Sequence, residues 1–181
     1  MSATPLPRTL DLRKPAMHKA YFEGSVMPAD LQRLRGLLAA DEGHIHAVIS
    51  CDLDDEGRTV LSVSVNASIS VRCQRCLEVF QRPLDANSRL AVVRTDEQAA
   101  GLPEGLEPVL AAREIDLWAV VEDELVLAIP VYSYHEEKTC IEKLTGAEHT
   151  AAAADDDKPA QKAETDGPFN ILAQLKRDLD H

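Results

Sequence analysis

Aromatic side chains are scarce in this chain: one tryptophan, three tyrosines and three phenylalanines among 181 residues. They form no stripe like the one that stacks bases on an RNA-recognition sheet, which makes base stacking a weak route to RNA. Long apolar runs are missing too. Nothing approaches the ~18 consecutive apolar residues of a membrane-spanning helix, and the opening MSATPLPRTLDLRKPAMHKA lacks the apolar centre of a secretory signal. The expectation is a cytoplasmic protein with no membrane contact. Its four cysteines, Cys51, Cys73, Cys76 and Cys140, are then expected as reduced thiols or metal ligands.

Recognisable catalytic frames are also lacking. The sequence has no G-x-S-x-G, no H-E-x-x-H, no G-x-G-x-x-G and no Walker loop. Glu122, Asp123 and Glu124 adjoin on a predicted helix, but neighbours along a helix point in different directions and do not converge on one atom. A non-enzymatic chain with no evident small-molecule substrate is expected. Positive charge is short as well: the formal net charge is −12, which argues against sequence-independent nucleic-acid binding. The charge is segregated. Between Asp96 and Glu124 the nine carboxylates face Arg113 alone, whereas Arg72, Arg75, Arg82, Arg89 and Arg94 cluster around Cys73 and Cys76 in sequence.

What is present is strong patterning. Leu61, Val63, Val65, Ala67, Ile69 and Val71 alternate with Ser62, Ser64, Asn66, Ser68, Ser70 and Arg72. Strict period two means a strand with one buried and one wet face, as in an antiparallel sheet covered on one side. Carried on, the same parity puts Cys73 on the buried side. Residues 44–51 alternate likewise, 54–57 reads as a turn, and LEVFQRPL and NSRLAVVR read as returning strands, with Pro83 at an edge or bend. Residues 96–110 are expected as a loop or long hairpin. Asp116 is a good N-cap for a helix over LWAVVEDELVLA that Pro130 closes, with Trp118, Val121, Leu125 and Ala128 on its apolar face. Pro28 should open an earlier helix to about Ala40, striped by Leu31, Leu34 and Leu38, although Gly36 costs it about 1 kcal/mol.

Together these elements predict an α+β fold: a mainly antiparallel sheet, open or closing toward a barrel, with flanking helices. Residues 1–27 read as an extended N-terminal arm and 28–144 as a single domain. Residues 145–167 are too polar to offset ordering entropy and read as a disordered linker. Residues 168–181 read as a terminal amphipathic helix presenting Phe169, Leu172 and Leu175.

Cys-x-x-Cys at a strand end can aim two thiolates at one tetrahedral ion. His135 and Cys140, spaced H-x4-C, are the paired candidates elsewhere. A zinc site of Cys73, Cys76, His135 and Cys140 is one reading, and buried thiols with no ligand are the other. A thioredoxin-like dithiol is a third, although it would want its first cysteine at a helix N-terminus. Cys51 has no local partner and reads as core.

Three ordered stretches, VRCQRCLEVF (71–80), EIDLWAVVEDELVLAIPVYSYHEEKTC (114–140) and GPFNILAQLKRDL (167–179), together resemble the YceD family, as does RTDEQAAGLPEGLEPV (94–109). The resemblance implies a part in accumulation of large-subunit ribosomal RNA, with no established reaction and no agreed site. Two routes to that role are open. One is direct RNA binding through Arg72, Arg75, Arg82, Arg89 and Arg94. The other is a protein adaptor whose Glu122, Asp123 and Glu124, with Phe169, Leu172 and Leu175, meet ribosomal or assembly proteins.

Overall fold

The computed structural model describes residues 4–13, 19–136 and Cys140. The expected linker 145–167 and terminal helix 168–181, with Phe169, Leu172 and Leu175, lie outside the described residues.

Strands β1 (Thr9–Asp11) and β2 (Ala20–Val26) come from the stretch read as an arm. A 3₁₀ turn (Pro28–Asp30) and a short helix α1 (Gln32–Arg35) precede three long strands: β3 (Ala40–Leu53), β4 (Thr59–Arg72) and β5 (Val79–Val93). Helix α2 (Asp96–Ala100), strands β6 (Glu107–Leu110) and β7 (Glu114–Asp116), and helix α3 (Leu117–Ala128) follow. The main sheet has the order β2-β3-β4-β5-β6 and is antiparallel except for the parallel pairing of β6 on β5. It ends in two edges and does not close into a barrel. β1 and β7 form a separate antiparallel pair.

The period-two pattern of β4 appears as predicted. Leu61, Val63, Val65, Ala67, Ile69 and Val71 are buried, and in antiparallel register they share a face with Ile45, Ala47, Ile49 and Cys51 of β3. Helix α3 covers that face through Val120, Val121 and Leu125, while Trp118 and Ala128 are only half-buried at its margins. Asp116 caps α3 as expected, accepting from the Trp118 and Ala119 N–H groups at 3.0 and 3.1 Å. Both predicted returning segments belong to the single strand β5. Pro83 pairs with Ser68 where β6 has not yet begun, so β5 is an edge there and a missing N–H is tolerated. The acidic stretch 96–110 differs from a plain loop: it forms α2, capped by Thr95, and then the parallel strand β6.

The helix expected over 28–40 is the main local correction. Leu31 is extended at φ −102°, ψ 96°, which splits it into the 3₁₀ turn and one turn of α1, and Ala40 already belongs to β3. Leu31 and Leu34 are nevertheless buried. The reason for the break is tertiary. The Arg33 and Leu34 N–H groups donate to Oε1 of Glu122 at 2.6 and 3.1 Å, and the Arg33 guanidinium donates to Oε2 at 2.9 Å. A carboxylate from α3 thus caps α1 from outside and fixes it against α3. On the same covered face, Gly24 lets residues 5–6 pack closely on β2, since a Cβ there would sit 2.5 Å from the Leu6 backbone nitrogen.

Replacing Glu122 by alanine strands two backbone donors and should lower unfolding free energy by about 2–3 kcal/mol in urea titration. Asp123→Asn removes only an exposed pairing to the same arginine and should cost under about 1 kcal/mol.

Candidate metal centre

The parity of β4 delivers Cys73 to the covered face, where it is fully buried. The chain then reverses within one tight turn. Cys73 N–H donates to the Glu78 carbonyl, and Leu77 N–H to the Cys73 carbonyl, both at 2.9 Å. Leu77 adopts φ 64°, a left-handed conformation that a leucine rarely takes. Pro130 ends α3, and the chain that follows runs over this turn. The Ser133 carbonyl accepts the Gln74 N–H at 3.0 Å, and the His135 carbonyl accepts from the Arg75 guanidinium. The His135 ring lies against Phe80 with centroids 4.4 Å apart, and Arg75 lies over Tyr134 at 5.1 Å.

These contacts bring the ligand atoms of Cys73, Cys76, His135 and Cys140 within 4.8 Å of one another. Cys76 Sγ is 3.5 Å from His135 Nδ1. All four residues singled out by their spacing meet at one point, although about sixty positions separate the two halves in sequence. The electrostatics favour thiolate at the centre. Burial pushes the Cys73 thiol up, but hydrogen bonds from the Cys76, His135 and Arg75 backbone N–H groups, and one from the Cys76 side chain, outweigh it and bring it down to about 5. Burial raises the Cys140 thiol, as does its hydrogen bond to Cys73. Three sulfurs and an imidazole nitrogen facing a common centre can hold a metal ion. A thioredoxin-like arrangement is not formed, because Cys73 leads into a turn and a strand and not into a helix. Cys51 is buried in the core, and burial raises its thiol.

The five arginines do not share a surface. Register places Arg72 and Arg89 on the open face of the sheet, opposite Val79 and Ser62. They stand ten positions apart along the ladder, roughly 33 Å. Arg82 lies opposite Ile69 on the covered face, and its Nε is buried with no hydrogen-bond partner. Arg75 is engaged over the cysteine turn, and Arg94 sits exposed beyond the end of β5. The acidic trio is divided too. Glu122 and Glu124 are buried, and the exposed Asp123 pairs with Arg33. Sequence reasoning passed over Leu77, Val131 and Tyr132, which project beside the cluster with 63 %, 82 % and 63 % of their surface exposed. A glycine after Cys76 would have announced the left-handed turn; a leucine gives no such signal.

The family model described as large ribosomal RNA subunit accumulation protein YceD matches residues 61–176. A protein of that name from Haemophilus influenzae is 29% identical over 179 residues, covering 98% of this chain and 99% of the relative. No solved structure matches the chain.

Since Leu77 holds a backbone conformation that costs an L-residue roughly 1–2 kcal/mol, Leu77→Gly should leave the protein as stable or more so, up to about 1 kcal/mol. Denaturant midpoints of the two proteins, prepared alike, check this.

Proposed function

This chain belongs to the YceD family of large ribosomal RNA subunit accumulation proteins, and from that premise we propose that it supports accumulation of large-subunit (23S) ribosomal RNA in the cytoplasm as a non-enzymatic protein adaptor. The near end-to-end match to the Haemophilus influenzae relative carries the assignment of role.

The adaptor route draws its support from charge and placement. A surface that tracks an RNA backbone needs several cations held together so that each can neutralise a phosphate. Here the arginines are dispersed over two faces of the sheet, and the chain carries a net charge of −12. An acidic protein instead attracts basic partners, and complementary potentials speed their encounter. Ribosomal and assembly proteins that bind RNA have that basic chemistry.

In this reading the cysteine cluster is a structural zinc site. Three thiolates and one imidazole form a donor set typical of closed tetrahedral zinc, and soft sulfur ligands disfavour magnesium and calcium. Zinc would join the β4–β5 turn to the segment after α3. Phe80 beside the His135 ring, and Arg75 on the His135 carbonyl, already hold the imidazole in place, as supporting residues around metal sites do. The cluster then stabilises a surface and performs no reaction.

Protein purified without chelator should contain about one zinc per chain, and Cys76→Ser or His135→Ala should lower that content. Metal near zero in the unaltered protein rejects the zinc assignment. Cells lacking the chain should show a reduced ratio of large- to small-subunit ribosomal RNA, restored by the unaltered gene. Partners recovered with the tagged protein should survive RNase; loss on RNase treatment would favour direct RNA contact instead.

A further inference from the structure

We propose that the tip of the cysteine turn and the apolar groove beside it form the docking surface for an apolar segment of a basic protein. This rests on the adaptor reading and names its contact face.

The first observation is Leu77. It is 63 % exposed and sits at φ 64°. A leucine there adds nothing to the core, and glycine would hold the same turn without strain. Strain kept at an exposed apolar residue points to a use outside the fold. The second observation is the groove. Its volume is about 410 Å³, and Leu37, Val71, Val126, Ile129 and Val131 supply most of its walls. Arg72 is the charged residue of its lining among the described residues.

The turn and the groove are continuous. Arg72 lines the groove and donates to the Leu77 carbonyl at 2.8 Å. Gln74 also lines it, and its N–H is held by the Ser133 carbonyl. Arg72 thus ties the turn that carries Leu77 to the groove, and exposed Val131 forms part of the groove wall. Exposed apolar side chains beside an apolar groove mark interaction sites, and tyrosine and arginine are common among the residues that dominate interface energies.

The charge of the chain selects the occupant. With net charge −12 and a sequence pI near 4.9, long-range attraction favours a cationic protein. An apolar groove with one guanidinium suits an apolar segment bearing a single carboxylate and gives RNA too few phosphate contacts.

The test uses the full chain, immobilised, with two variants that leave its charge unchanged: Leu77→Gly and the double variant Val131→Ser/Tyr132→Ser. The probes are the RNA-free protein fraction of large ribosomal subunits and, separately, naked large-subunit ribosomal RNA. In salt that screens non-specific attraction, the unaltered chain should retain an identified basic protein of the fraction, and each variant should bind it about tenfold more weakly or worse. Leu77→Gly should melt no lower than the unaltered protein, so its loss of binding is not loss of fold. Retention undiminished in both variants, no retention by the unaltered chain, or a variant-sensitive binding of naked RNA each overturns the proposal. Complementation separates this from the wider role. If the unaltered gene fails to restore ribosomal RNA in deletion cells, the proposed function falls. If the variants restore it fully despite lost binding, this surface alone falls.

Discussion

Three sulfurs and an imidazole nitrogen held within 4.8 Å of one another are the constraint on which this end of the molecule depends. Neutral thiols form weak hydrogen bonds and thiolates repel one another, so packing alone gives such a cluster little reason to exist. A shared cation would remove the conflict and join two segments that are remote in sequence. The turn after β4 and the chain after Pro130 also meet through backbone hydrogen bonds from Gln74 to Ser133 and through Arg75 to His135. The left-handed Leu77, the His135 ring tilted against Phe80 and the exposed Val131 and Tyr132 all lie at that junction.

A second junction keeps α3 where the first needs it. Glu122 turns inward from α3, caps α1 and pairs with Arg33, so the helix is fixed at its middle as well as at its capped start. A helix held at these points ends at a defined place, and the irregular segment after Pro130 begins there. The groove walls come from the elements so fixed: Leu37 beyond α1, Val71 from β4, and Val126 and Ile129 from the end of α3.

Charge then separates two kinds of partner. The chain is acidic, and the arginines that gather in sequence are dispersed by the pleat of the sheet. A β-strand sends adjacent residues to opposite faces. β5 therefore puts Arg82 under the helices and Arg89 on the open side, while the length of the ladder separates Arg89 from Arg72. What remains concentrated is apolar: a groove and a leucine-tipped turn beside the cysteine cluster.

The sequence by itself determined what is written within a few residues. Period two along 61–71 set the strand, its buried face and the inward direction of Cys73. Asp116 and Pro130 marked the two ends of α3, and the spacings Cys-x-x-Cys and H-x4-C named the four cluster residues. Only the tertiary structure decided the remainder, because it rests on pairings between distant segments that no local pattern encodes. Glu122 looked like part of a solvated acidic run until α1 supplied two N–H donors for it, and the same contact broke the helix expected over 28–40. Sequence proximity could not say that five arginines would diverge, since strand parity and register assign faces only once the partners are known. Nor could it say that the halves of the cysteine cluster would meet, because the long stretch between Cys76 and His135 fixes no distance until a sheet and a helix fold them into one.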